Sequence, residues 1–180
     1  MTRMHRYHNY STVGLLCLGC FWFGTFVYQN HWAQPESSPP IPSTTPVAIP
    51  VRSLGGETGA LDAGNLKHPT LLLVLSADCR YCEQNAPTWR ELIASIGESK
   101  TPPEVLALSL SDAEDTGRYL EANALTVSVL LIDQAGLAVL GLRGVPGTIA
   151  LDPGSDTMRS WIGVLSESEV ATILTWAAAN

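Results

Sequence analysis

Charge is what this sequence has least of. Only 15% of its 180 residues are Asp, Glu, Lys or Arg, against roughly 25% in an ordinary soluble domain, while 46% are apolar. That balance is the composition of a chain that buries a core, and it excludes both a disordered and a collagen-like protein. Basic residues are scarcer still: ten stand against seventeen acidic ones, for a net charge of −7. They are scattered, so no cationic patch is left to grip phosphates, which argues against a nucleic-acid partner. Cysteine is sparse as well. Four cysteines are too few for a disulfide scaffold, and the length suits one domain of ~100–150 residues with an appendage rather than two catalytic domains.

What charge there is avoids one segment altogether. From Tyr10 to Tyr28 there are nineteen uncharged residues rich in Leu, Phe, Val and Trp, and a helix of that length, at ~1.5 Å per residue, matches one bilayer core. Arg3 and Arg6 precede it and the first acid, Glu36, follows it. The cationic end is expected to stay in the cytoplasm, which places the rest of the chain on the extracytoplasmic, periplasmic side. Tyr7, Tyr10, Tyr28 and Trp32 suit the two membrane interfaces. A cleavable signal peptide is the alternative, but its apolar stretch is typically ~7–15 residues and ends at small residues, whereas the region around Asn30–Ala33 is bulky; a lipid-bearing Cys20 is a third possibility. Residues 33 to 50 then hold Pro35, Pro39, Pro40, Pro42, Pro46 and Pro50 among Ser and Thr, the composition of an extended spacer. The expected organisation is 1–9 cytoplasmic, 10–28 transmembrane anchor, 29–46 Pro-rich linker and 47–180 folded domain.

The last segment reads as one α/β domain. Thr70 to Ser76 is an apolar run without alternation, as expected of a central strand covered on both faces. After it, Trp89, Leu92, Ile93 and Ile96 recur at helical spacing and Gly97 ends the helix. Val105 to Leu110 is a second strand, and Ser111-Asp112-Ala113-Glu114 has the spacing of a capping box that opens a helix to about Asn123. This βαβα order implies parallel neighbouring strands. Val127–Ile132 is strand-like, Ala135–Leu142 is a short helical candidate, and Thr148–Leu151 is a strand. Asp152-Pro153-Gly154 matches a type II turn from which Met158–Ile162 can return antiparallel. Ser166-Glu167-Ser168-Glu169 is another capping box, before a helix with Val170, Ile173, Leu174 and Ala177 on one face.

The chemistry lies where the first strand meets the first helix. Cys79-Arg80-Tyr81-Cys82 closes too small a ring for a disulfide there to add much stability, so it reads as a switch rather than a staple. At a helix N-terminus, unpaired N–H groups stabilise a thiolate, and Arg80 adds a positive charge. Cys79 is therefore the expected nucleophile. Cys82, one turn into the helix, is placed to resolve the mixed disulfide that Cys79 forms. Asp78 opposes the thiolate, and Glu83 complements the helix dipole. The two sulfurs carry the electron pair, so the redox-active Cys79–Cys82 disulfide requires no metal or organic cofactor. The pair could instead be half of a structural zinc site, but beyond these thiols His68 is the sole conventional nitrogen ligand in the exported domain. Cys17 and Cys20 read as small apolar fillers of the anchor.

The strand, the Cys79-Arg80-Tyr81-Cys82 motif and Pro87 five residues later resemble the active-site segment of the thioredoxin family. Gly144-Val145-Pro146-Gly147-Thr148 resembles that family's cis-proline loop. The resemblance covers roughly residues 45 to 178. It implies a thioredoxin-like fold, with a central mixed sheet and flanking helices, attached here to one N-terminal transmembrane helix. It also implies that Pro146 lies beside the cysteines and that the backbone of Val145 pairs with substrate; Arg80 and Tyr81, expected to be exposed between the cysteines, are candidate substrate contacts. With an anchor and an exported domain, the chain looks most like the membrane-tethered extracytoplasmic branch, which includes reductases for cytochrome c maturation and methylamine dehydrogenase maturation. The implied activity is thiol-disulfide exchange with extracytoplasmic protein thiols and disulfides, with a membrane protein as possible electron donor.

Several positions depart from the family pattern. Asp78 stands where Trp is usual, Arg80-Tyr81 replaces Gly-Pro, Leu73 replaces a buried acid that helps proton transfer in thioredoxin itself, and Asn85 replaces a Glu of the cytochrome-maturation branch. The redox direction stays open, since a stabilised thiolate makes an oxidant and a membrane donor makes a reductant. A peroxiredoxin-like peroxidase is one alternative, although Ser76 and Leu72 replace that family's Thr and Pro; a non-enzymatic adaptor of the same fold is the other.

Overall fold

The run Thr-Leu-Leu-Leu-Val-Leu from Thr70 to Leu75 is buried at every position, which is what an unbroken apolar strand requires. In the computed structural model, which describes residues 41–42, 48–155 and 157–179, this strand lies inside one mixed sheet. The elements in chain order are β1 (Ile41–Pro42), β2 (Ala48–Arg52), β3 (Thr58–Asp62), β4 (Thr70–Leu75), α1 (Arg80–Gly97), β5 (Glu104–Ser109), α2 (Ala113–Ala122), β6 (Ser128–Leu131), α3 (Gln134–Val139), β7 (Gly147–Leu151), β8 (Thr157–Ile162) and α4 (Glu167–Ala179). The sheet order is β1-β8-β7-β4-β5-β6-β2-β3.

As the βαβα pattern implied, β4 and β5 are parallel, with Leu72 opposite Leu106, and β5 and β6 are parallel. β7 runs antiparallel to β4, pairing Val74 with Gly147, and β8 returns antiparallel on β7. The Asp152–Ser155 turn closes with an N–H donated by Ser155 to Asp152 O at 3.2 Å, and Gly154 takes φ +68°. Alternation along β4 feeds two cores. Leu71, Leu73 and Leu75 pack with Cys82, Trp89 and Leu92 of α1, Tyr119 of α2 and Ile173 of α4. Leu72 and Val74 face the other way, against Ile49, Leu108, Leu137 and Ile149.

Three features differ from the sequence reading. The hairpin of β2 and β3, in register from Ala48↔Asp62 to Arg52↔Thr58, was not anticipated. It buries Ile49 and is joined to β6 in the sheet by the single pairing Arg52↔Leu131. Composition put Ile41–Pro42 in the linker, yet these residues pair with Met158 and Thr157 of β8; Pro is tolerated there because β1 is an edge strand that need donate on one side only. Finally, α2 is capped by Asp112, whose carboxylate accepts the Asp115 N–H at 2.8 Å, and not by a Ser111–Glu114 box. Ser111 is engaged elsewhere, as described below. Among the described residues no helix is long and apolar enough to cross a membrane; the anchor expected at 10–28, its flanks and the cysteines Cys17 and Cys20 lie outside those residues.

Candidate active site

β4 ends at Leu75, and three residues later the chain enters α1 with Cys79 as N-cap. The intervening loop is held from the neighbouring strand: Ser111, just beyond β5, accepts the Ala77 N–H on its hydroxyl at 2.8 Å. Ser76 donates its own hydroxyl to the Asp78 carboxylate. That bond holds the Asp78 carboxyl below its ordinary range, so it is anionic near neutral pH. As N-cap, Cys79 receives the Cys82 N–H on its sulfur at 3.3 Å, the use a helix start makes of any capping acceptor. Its thiol also donates to the carbonyl of Val145 at 3.6 Å.

One turn inward the environment changes. Cys82 is fully buried while Cys79 is half-buried, and both are free thiols. Burial, then the hydrogen bond with Cys79, pushes the Cys82 thiol far above its ordinary range. The Cys82 carbonyl accepts the buried hydroxyl of Tyr119 at 2.8 Å, tying the first turn of α1 to α2. Burial and the neighbouring sulfurs push the Tyr119 phenol upward in turn. Arg80 is exposed, and Tyr81 projects with 61% of its surface open. Pro87 lies inside α1, which continues past it.

The second sequence motif arrives from the other side. The Val145–Pro146 peptide is cis. Pro146 and Gly147 are buried and Val145 is half-buried. A side chain at Gly147 would press on Leu142 Cδ1 at 2.8 Å while meeting Val74 of β4 at an ordinary 3.5 Å, so a larger residue here would displace the Leu142 side chain. Next to it, the Trp89 indole N–H donates to the Thr148 hydroxyl at 3.0 Å. α1 is thereby fixed against the start of β7, and two motifs 64 residues apart in sequence meet at one sulfur.

No family model and no curated protein matches the sequence. Solved structures do. DsbF of MTB, described in its mixed oxidized and reduced forms, is similar with a TM-score of 0.57 and 18% identity, over 73% of this chain and 96% of that one. StoA from Bacillus subtilis gives 0.55 and 17%, over 73% and 97%. A secreted Mycobacterium tuberculosis disulfide oxidoreductase homologous to E. coli DsbE gives 0.55 and 15%, over 73% and 95%. The fold is thioredoxin-like.

The thioredoxin-like domain brings together Cys79, Cys82, Val145 and Pro146, with Arg80 and Tyr81 on the rim. It also adds residues that sequence reasoning did not assign to the site. Gly163, at φ +100°, donates its N–H to the Pro146 carbonyl at 2.8 Å, so the loop after β8 becomes part of the site. Its neighbours Ile162 and Val164 are 40% and 39% exposed, high for large apolar side chains. Asn85 was noted only as a departure from a family pattern; it is fully buried on the same face of α1 as Cys82 and Trp89. A lone amide in that apolar stripe was the available signal. A cleft of about 360 Å³ adjoins the cysteines on the α2 side, with Asp78 and Glu83 on one wall and Tyr119 and Asn123 on the other. Among the described residues no cluster of His, Cys, Asp and Glu could hold a metal ion.

Proposed function

We propose that this chain is a thiol-disulfide oxidoreductase acting on extracytoplasmic protein substrates, held at the membrane by the 10–28 segment and served by a membrane electron donor when it works as a reductant. The observation that carries the reading is the placement of two thiols with different environments: Cys79 at the helix start, accepting the Cys82 N–H, and Cys82 buried one turn below. The similarity in fold to a secreted disulfide oxidoreductase of Mycobacterium tuberculosis supports the same reading.

The steps follow from that placement. The Cys79 thiolate attacks one sulfur of a substrate disulfide; a Cys79–substrate bond forms, the substrate S–S bond breaks, and one substrate thiolate leaves. The buried Cys82 thiol then attacks the Cys79 sulfur, the Cys79–substrate bond breaks, and the Cys82 proton passes to the second substrate sulfur as it leaves. The Cys79–Cys82 disulfide forms, the second substrate thiol departs, and two electrons have passed to the substrate. The reverse sequence oxidises a substrate dithiol. Substrate approaches over Arg80, Tyr81 and the Val145–Pro146 loop. A peroxidase role is less well supported, because the Ser76 hydroxyl is committed to Asp78 and not to the Cys79 sulfur.

Cys82→Ala removes the resolving thiol and should leave Cys79 joined to its partners on a non-reducing gel, in a band that dithiothreitol abolishes. Cys79→Ala should yield none. Failure of Cys82→Ala to trap any protein, together with no reversible two-electron transition of the wild type in a dithiothreitol titration, would sink the reading.

A further inference from the structure

The buried residues of α2 are Thr116 and Tyr119, which share one helix face because they lie three apart, and each carries a hydroxyl. The Thr116 hydroxyl is hydrogen-bonded to that of Ser109 in β5 at 2.7 Å, a buried bond that holds α2 to the sheet. The Tyr119 hydroxyl donates to the Cys82 carbonyl at 2.8 Å. α2 is thus a bracket between a sheet strand and the peptide group of the buried cysteine. Packing does not require the second bond. The Tyr119 ring lies in the cluster of Leu73, Leu75, Cys82 and Trp89, and a phenyl ring would supply the same apolar body with no polar group to desolvate. The hydroxyl is explained by what it holds.

It holds the turn of α1 that Pro87 weakens. Pro87 lies inside the helix; it has no N–H for the Glu83 carbonyl four residues earlier, and its ring crowds that carbonyl. At the helix start, the Cys82 and Glu83 N–H groups donate to the Cys79 carbonyl at 2.9 and 3.2 Å, and the Cys82 N–H also reaches the Cys79 sulfur at 3.3 Å. That last bond depends on the atom that changes partner during exchange. The Tyr119 bond does not: burial, then the neighbouring sulfurs, push the phenol upward so that it keeps its proton, and the carbonyl that it holds takes no part in the chemistry.

We propose, resting on the disulfide-exchange reading, that Tyr119 is a positioning residue for the second step of exchange: it holds the Cys82 peptide so that the Cys82 sulfur stays aligned on Cys79 while Cys79 is bound to substrate. In that step the Cys82–Cys79 bond forms, the Cys79–substrate bond breaks, and the Cys82 proton passes to the departing substrate sulfur. The Tyr119 proton stays where it is. The first step needs only the Cys79 sulfur and is insensitive to Tyr119. Alignment matters in the second because an attack within one molecule draws its rate from geometry, and a misplacement of about 1 Å can cost about 100-fold.

The test uses the full-length reduced chain carrying Cys17→Ala and Cys20→Ala, so that Cys79 and Cys82 alone report, with 5,5′-dithiobis(2-nitrobenzoate) as the disulfide. Attack by Cys79 releases the first thionitrobenzoate in a phase whose rate follows the reagent concentration; attack by Cys82 releases the second in a phase that does not. Tyr119→Phe should slow the second phase about tenfold and leave the first within about twofold of the parent chain. Trp89→Phe is the control for a general loosening of α1. It removes the bond from that helix to Thr148 but not the one at Cys82, and the ratio of the two phases should stay at the parent value. An unchanged second phase in Tyr119→Phe, an equal slowing of both phases, or the same selective slowing in Trp89→Phe overturns the inference. A parent chain that releases no second thionitrobenzoate overturns the disulfide-exchange reading on which it rests.

Discussion

Between Cys79 and Cys82 the chain advances one helical turn and passes from a half-buried position to the interior, and on the proposed reading this difference makes one sulfur the nucleophile and the other its reserve. The reserve has a measurable signature. Because folding raises the Cys82 thiol above its ordinary value of 9.0 and Tyr119 above 10.0, both hold their protons more tightly in the folded chain than in the unfolded one. The stability they carry is complete below those ordinary values and declines as the pH rises through and beyond them. Urea midpoints of the reduced protein are therefore expected to fall from about pH 9 upward, and those of the oxidised protein, which has no Cys82 thiol to titrate, only from about pH 10. Superimposable alkaline profiles would show that Cys82 is not protected as described. Leu73 bears on the same sulfur. It is fully buried in the core cluster that contains Cys82, opposite Thr148, whose hydroxyl already accepts the Trp89 indole N–H, so an acid introduced there is buried in a largely apolar setting. Leu73→Asp should lower stability by ~3 kcal/mol or more, read as a shift of the urea midpoint; a loss below ~1 kcal/mol would mean that the site accommodates a carboxyl and that proton transfer through this position is open to the fold.

At the scale of elements, α2 offers a direct contrast between what a sequence pattern suggests and what the neighbourhood imposes. Ser111 and Glu114 have capping-box spacing, yet the Ser111 hydroxyl is taken by Ala77 N–H of the active-site loop and the cap falls to Asp112. Asp112→Ala should cost about 1 kcal/mol, while Glu114→Ala should cost only a few tenths; thermal melts of the two variants decide between the assignments, and the reverse order would restore the box. In α4 no competitor intervenes, and the box forms as the pattern implied: Ser166 N–H donates to the Glu169 carboxylate at 2.8 Å and Glu169 N–H to the Ser166 hydroxyl at 3.4 Å. The same distinction explains what else was legible. The Thr70–Leu75 strand, the Cys79-to-helix junction and the Asp152–Gly154 turn depend on residues close together in the chain, and each stands where the pattern put it. The β2–β3 hairpin was not legible, because Ala48–Arg52 continues a proline-rich stretch and Thr-Gly-Ala-Leu-Asp lacks alternation; its pairing depends on a turn closed from Ser53 N–H to Glu57 O at 2.8 Å. The place of Gly163 in the site was hidden for a related reason. A residue after a strand has no such meaning in one dimension and acquires it only when Gly163 meets Pro146.

Among the described residues the sheet is paired most fully at its centre, and the candidate site sits at the end of its central strand. β4 is paired along its length on both sides, with β5 and with β7, and contributes to both cores, so its amides should open only with global unfolding. The cysteines hang from its end, a placement that suits the proposed exchange, which needs three sulfurs brought into line. The β2–β3 hairpin has the opposite character: a single residue pair joins it to β6, β3 has no partner on its outer side, and Thr58, Gly59 and Ala60 are exposed. Its outer strand β3 is expected to open locally, while Ile49 of β2 stays in the core beside Leu72 and Val74 of β4. Native-state hydrogen exchange tests this gradient. Amides of Leu71 to Leu75 should exchange at the global unfolding rate and respond to urea with the full dependence, whereas those of Thr58 to Asp62 should exchange at least ~100-fold faster with little dependence on urea. If β3 instead shares the protection of β4, the hairpin is an integral part of the core, and variants that weaken it would change the geometry around Cys79 as well as the edge.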